Sequence, residues 1–155
     1  MDPSDLSLRP LDASYADRIV ELVCLLNPSV AEDELHPRLA EAWNTTGYHC
    51  FGLFREGLDQ PIGISSAWVT TRLYGGKLVE LDNVIIDPVH RGGGTGGFFL
   101  EALEAWAVAT GCKRIELKSY VTNARSHKFY LNHGFDIRAF YFVKQVIPVT
   151  PGEQR

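Results

Sequence analysis

The chain has 155 residues, 45% hydrophobic and 22% charged, the size and composition of one globular domain with one core. Its formal net charge of -4 argues against non-specific nucleic-acid binding and suits a cationic substrate. No apolar run approaches the ~20 residues that span a bilayer, and the acidic, polar start "MDPSDLSLRP" does not read as a signal peptide. Cys24, Cys50 and Cys112 sit in apolar runs without close pairing, which predicts buried free thiols and a cytoplasmic location.

In chain order, the alternating "LSLRPLD" predicts a first strand. "SYADRIVELVCLLN" follows, with Ile19, Leu22, Val23 and Leu26 on one helical face. "AEDELHPRLAEAW" predicts a second, weaker helix interrupted by Pro37. "HCFGLFR" and "PIGISSAWVT" read as a hairpin joined by "EGLDQ", and "YGG" turns the chain into the strand "KLVELDNVII", which stops at "DP". Beyond a glycine cluster, "GFFLEALEAWAVATG" sets Phe99, Leu103, Trp106 and Thr110 at helical spacing and ends at Gly111. "KRIELKSY" is a strand, "NARSHKFYLNHG" a short helix, and "FDIRAFYFVKQVI" closing strand material. Residues 1–155 thus read as one α/β domain with a tail from about 149. The middle strands form an antiparallel meander, and the strand–helix–strand step into "KRIELKSY" predicts a parallel pair.

In "KLVELDNVII" the apolar spacing of two slips to three between Leu81 and Val84. A β-bulge near Asp82 and Asn83 would restore one face to Val79, Leu81, Val84 and Ile86. A strand buried on both faces at its end would give the same pattern.

The stretch "VHRGGGTGG" lies between core-forming "VII" and "FFLEAL", so it is not a linker. Glycines before a helix bring unpaired, partly positive N–H groups close to a ligand, and with Arg91 they predict an anion site, above all for phosphate. Gly92-x-Gly94-x-x-Gly97 formally matches the dinucleotide fingerprint, with Glu116 near the expected acid position. However, "DPVHR" separates the strand from the first glycine, and too little chain follows Tyr120 for further βαβ units. No "GK[ST]" is present, which excludes a P-loop.

Arg91-x-x-Gly94-x-Gly96 after "VIIDPVH", together with "NARSHKFYLNHGF", resembles the GNAT superfamily of N-acetyltransferases. The resemblance covers nearly the whole chain and is most specific from Val84 to Phe135. It implies a mixed, mostly antiparallel, splayed sheet with flanking helices, and acetyl-CoA as co-substrate. The histidines show no metal-ligand spacing, so no metal is expected. The pyrophosphate of coenzyme A would be bound by the backbone of Arg91, Gly92, Gly93, Gly94, Thr95, Gly96 and Gly97. Thr95 replaces the commoner aliphatic residue, and its hydroxyl could add a hydrogen bond. Gly97 is less usual and could loosen the first helical turn. Val84, Ile85 and Ile86 would pair through their backbone with the pantetheine arm.

Other positions take their roles from the same resemblance, each beside a plainer reading. Asn123 matches the family's pantetheine-contacting Asn and would serve equally as a helix N-cap. Tyr130 matches the catalytic Tyr, which donates to the departing thiolate; otherwise it packs beside Phe129. Glu80 lies where some members place a general base, and Asp82 follows two residues on; either could be a solvent-facing acid. Carboxylates are poor bases for an amine unless desolvated, so a water relay is plausible. Trp43, Trp68 and Tyr74 fall in segments that line the acceptor side. Arg125, Lys128, His127 and His133 read as surface residues.

The resemblance therefore implies an enzyme that moves acetyl from acetyl-CoA directly to a primary amine of a small molecule or peptide. No nucleic-acid or membrane partner is implied. A homodimer would form along "AFYFVKQV". The alternative is a non-catalytic acyl-CoA-binding or sensing module.

Overall fold

A computed structural model describes residues 3–147; the expected tail from about 149 lies outside the described residues. Internal contacts divide the chain into two compact units, residues 1–116 and 117–155.

The first unit is built on a sheet of order β1-β2-β3-β4-β5: β1 Leu6–Pro10, β2 Tyr48–Arg55, β3 Gly63–Arg72, β4 Gly76–Ile86 and β5 Ile115–Leu117, the last ending at the unit boundary. The pairs β1–β2, β2–β3 and β3–β4 are antiparallel. At the other edge of β4, the Lys113 amide donates to Lys77 C=O at 2.8 Å and the Val79 amide to Arg114 C=O at 3.0 Å. Both segments advance together across these bonds, which is the parallel sense the strand–helix–strand step predicts. The sheet is thus mixed and mostly antiparallel, as expected. β5 has three residues against eleven in β4, shorter than "KRIELKSY" suggests.

Helices α1 (Ala16–Leu26) and α2 (Glu32–Trp43) cover one sheet face. Ile19, Val20, Leu22 and Leu39 bury there against Cys50, Phe54, Ile64 and Ile85. Removing these side chains from water, at about 25 cal/mol per Å2, is the main force holding helices to sheet. The interruption expected at Pro37 does not occur, and α2 runs through it. Proline forfeits one backbone hydrogen bond, but Glu32, Asp33 and Glu34 in the first turn favour the helix start and Leu39 anchors the far side. Helix α3 (Thr95–Ala109) buries Phe99, Leu100, Leu103 and Ala107. Its Trp106 ring lies 4.6 Å from that of Phe51, which alternates with the α1-facing Cys50 and so marks the opposite face.

In the second unit, α4 (Ala124–Asn132) is followed by Gly134 at φ +84°. Among the described residues no strand follows it, so the expected closing strand "FDIRAFYFVKQVI" is absent. Phe140, Tyr141, Phe142, Val143, Val146 and Ile147 are exposed instead. Aromatic and β-branched composition favours a strand only where another strand supplies hydrogen bonds, and no ladder reaches this segment among the described residues.

Candidate active site

The glycine loop is shaped by its backbone. Gly92, Gly93 and Gly94 take φ of +98°, +57° and +83°, a run that residues with a Cβ rarely adopt. Among the described residues, no atom beyond the chain neighbours lies within 4 Å of the position a Cβ would take at Gly92 or Gly94. Gly94 is the N-cap of α3 and offers no side-chain cap. Among the described residues, the amides of Gly93, Gly94, Gly96 and Gly97 have no backbone acceptor. These are unpaired donors at the positive end of a 15-residue helix. The open space and unpaired donors fit a pyrophosphate.

Two loop residues are committed internally. The buried Thr95 hydroxyl donates to Gly92 C=O at 2.8 Å, so it closes the loop rather than facing outward. Exposed Arg91 donates through Nε to Ile86 C=O at 2.8 Å, fastening the loop to the end of β4. Gly96 and Gly97 already belong to the first turn of α3.

Upstream, Asp87 accepts from the Val89 amide at 3.1 Å and caps the short 3-10 turn Pro88–His90 that feeds the loop. Its other oxygen meets Arg18 Nη2 of α1 at 2.8 Å. Arg18 also donates Nε to Pro61 C=O at 3.1 Å and pairs with Glu21 at 2.8 Å. The Arg18 hydrogen bond holds the Asp87 carboxyl below its ordinary value. An Asp-Pro start of a turn is legible in sequence; nothing local announces Arg18.

The bulge in β4 is present. Ile64 pairs with Ile85 and Ser66 with Asp82, so three steps along β4 oppose two along β3. Asn83 absorbs the extra residue at φ +51°, the one non-glycine residue with positive φ among those described. Asp82 supports the turn: Oδ1 accepts from the Asn83 amide at 2.9 Å and Oδ2 from Asn83 Nδ2 at 3.2 Å. The bulge falls after Asp82. Glu80, opposite Trp68, and Asp82, opposite Ser66, therefore share the face that α1 and α2 cover. Val84 and Ile86 are half-buried and Ile85 is buried in the α1-side core.

On that face, between α1, α2 and the sheet, lies a cavity of about 310 Å3. Asp82, Asn83, Ser66, Trp68 and Tyr48 contribute from the sheet. The Tyr48 and Trp68 rings lie 4.6 Å apart, and the Tyr48 hydroxyl and Ser66 Oγ share a hydrogen bond of 3.0 Å. Burial pushes the Tyr48 phenol well above its ordinary value and the Cys50 thiol up to about 11, so both are neutral at pH 7. Of the aromatic residues expected on the acceptor side, Trp68 lines the cavity, Trp43 packs beside the core, and Tyr74 is exposed in the turn before β4. Tyr48, Ser66 and Asn83 were not legible as site residues, because their convergence depends on strand register.

In the second unit, Asn123 is the N-cap of α4, with Oδ1 accepting from the Ser126 amide at 3.2 Å. Tyr130 is half-buried, its ring 5.3 Å from Phe129 and 5.5 Å from Phe135. Burial raises its phenol above the ordinary value, which keeps the proton on the oxygen at neutral pH. His127 and His133 contact the Tyr120 and Phe129 carbonyls, and Arg125 and Lys128 are exposed. The three cysteines are free, Cys50 buried and the other two half-buried. Among the described residues no helix is long and apolar enough to cross a membrane.

Residues 16–135 match the model of the Acetyltransferase (GNAT) family. The chain belongs to that family. It is a GNAT acetyltransferase, of a family that uses acetyl-CoA. No curated protein sequence matches the chain. Solved structures with the GNAT fold superpose well. The aminoglycoside 6'-N-acetyltransferase AAC(6')-Ih from Acinetobacter baumannii is 20% identical with TM-score 0.73, covering 91% of this chain and 99% of that one. AAC(6')-Iy, solved with the bisubstrate analogue CoA-S-monomethyl-acetylneamine, is 19% identical with TM-score 0.74, covering 90% and 98%. A transcriptional regulator from Bacillus halodurans is 15% identical with TM-score 0.79, covering 90% and 99%. At these identities the likeness concerns the fold.

Proposed function

We propose that this GNAT acetyltransferase moves an acetyl group from acetyl-CoA directly onto the nitrogen of a primary amine. The observation that carries the reading is the glycine loop, with three successive positive φ values, unpaired amides and open space beside Gly92 and Gly94. Arg91 and the amides of Gly92, Gly93, Gly94, Gly96 and Gly97 would hold the pyrophosphate, while Thr95, whose amide and hydroxyl both donate to Gly92 C=O, keeps the loop closed. The backbone of Val84, Ile85 and Ile86 would pair with the pantetheine amides, and Asn123 would contribute from the start of α4. The brevity of β5 beside β4 supports a splay at that end of the strand.

When bound, acetyl-CoA supplies an activated thioester whose sulfur leaves carrying negative charge. Tyr130 is the donor for that sulfur, since burial keeps its phenol protonated. The amine reaches the site mostly as an ammonium ion, because a free alkyl amine has pKa of ~10.4. Glu80 accepts its proton, directly or through a water, and Asp82 on the same strand face holds the ammonium beforehand. Trp68, opposite Glu80, borders the acceptor. The exposed apolar side chains between Ile137 and Ile147 support a homodimer, which sedimentation equilibrium would test.

Calorimetric titration tests the donor site. Coenzyme A and acetyl-CoA should bind, and NAD(H) should not. Binding of NAD(H) in preference to coenzyme A overturns the reading.

A further inference from the structure

The charge count of the α1/α2 cavity narrows the acceptor. Among the described residues that line it, two carry charge, Asp82 and Arg38. The Arg38 guanidinium is held by Glu34 of its own helix at 2.7 Å. That leaves Asp82 as the lining carboxylate. Its two oxygens each accept one hydrogen bond from Asn83 and keep lone pairs for one ammonium group. Beside it stand the neutral Tyr48 hydroxyl and the Tyr48–Trp68 ring pair. The opposite wall is mostly hydrocarbon, Val20 and Val23 from α1, Leu35 and Ala42 from α2, and Val30 between them, with Asn27 and Arg38 as its polar members.

A polycation entering such a space would bring several charges to the one carboxylate that lines it, Glu80 being engaged by the reacting amine, and would meet a guanidinium at the same wall, where like charges repel. A single ammonium on a hydrocarbon body matches both ends: the charge at Asp82, the body against valine and leucine. The cavity, about 310 Å3, equals the volume of roughly ten waters, enough for a small body. We propose that the acceptor is a monoamine, one primary ammonium on an apolar aliphatic or aromatic body, selected by Asp82 and the α1/α2 wall. This rests on the acetyltransferase reading above and specifies its second substrate.

The test uses the full chain and two readouts. Binding of n-alkylamines from butylamine to octylamine, phenethylamine, spermidine and neamine is measured by calorimetry without acetyl-CoA. Acetyl transfer to the same panel is then followed by release of the coenzyme A thiol. Affinity should rise by about fourfold per methylene until the cavity is full. The best monoamine should exceed spermidine and neamine at least tenfold in both readouts. Asp82→Asn should weaken phenethylamine at least tenfold while leaving the increment per methylene unchanged; the wild-type ranking stands on its own if that variant does not fold. Preferential binding and acetylation of spermidine or neamine overturns the proposal and leaves the acetyltransferase reading intact. A chain-length series that binds as described but accepts no acetyl group upholds the cavity's selectivity and overturns the acetyltransferase reading. Affinity independent of chain length overturns the proposal.

Discussion

Arg18 and Asp87, 69 positions apart, meet at 2.8 Å with both side chains largely buried. One guanidinium thereby joins α1, the chain before β3 and the end of β4, immediately ahead of the glycine loop. Asp87 uses its other oxygen to start the turn that delivers His90 and Arg91. The glycine loop is held from below by a contact that lies outside the loop itself.

Asp87→Asn should therefore lower stability by about 1.5–3 kcal/mol, the range for a hydrogen bond to a charged partner. The effect has a defined pH dependence. Asp87 has a depressed folded-state value, caused first by Arg18, so its contribution is present above the unfolded value of ~3.9 and fades as pH falls through the lower folded value. Urea unfolding should show a constant gap between wild type and variant from neutral pH down to about 5, narrowing below about 4. A gap that widens in acid contradicts the assignment.

Gly94→Val tests the loop. At φ +83° a side chain costs about 1–2 kcal/mol, and among the described residues no atom beyond the chain neighbours lies within 4 Å of the new Cβ. Thermal unfolding should register a modest loss, while calorimetry should show coenzyme A affinity reduced tenfold or more. A folded variant with unchanged affinity removes the pyrophosphate from this loop.

Asn83 carries the strain of the bulge. Asn83→Gly should hold stability within about 1 kcal/mol of wild type, whereas Asn83→Val should lose about 2 kcal/mol, since a β-branched residue tolerates φ +51° poorly. Chemical denaturation of the pair checks the order. Equal stabilities would mean that β4 re-registers and abolishes the bulge.

The bulge was legible because a slip of one in a period-two pattern has few physical remedies, and Leu81 with Val84 showed where it lay. The glycine loop was legible because several glycines between two apolar segments need a backbone reason. The sheet meander followed from hairpin turns. What remained hidden depends on distance in space. The Arg18–Asp87 pair spans α1 and β4, and the cavity gathers Tyr48, Ser66 and Asn83 through strand register. The closing segment misled for the opposite reason: Phe140 to Val143 have strand propensity without a strand beside them. Pro37 misled because one lost hydrogen bond does not outweigh a well-started, well-anchored helix.

Tyr130→Phe removes one oxygen and keeps the ring against Phe129 and Phe135. Coenzyme A affinity should barely change, while kcat should fall by about 10²-fold or more, the lower range for a positioned acid. The loss belongs in kcat because the charge on sulfur develops in the transition state. Unchanged turnover would reduce Tyr130 to a packing residue.

Direct transfer is tested most squarely by isotopic accounting. Wild-type protein is incubated with acetyl-labelled acetyl-CoA and phenethylamine, and label is followed in amide and protein by mass spectrometry. Direct attack on the thioester gives one labelled amide per thiol released, a rate that rises with amine, and no label on the free thiols of Cys24, Cys50 or Cys112. Label accumulating on the protein without amine, then passing to it, would contradict direct attack on the thioester.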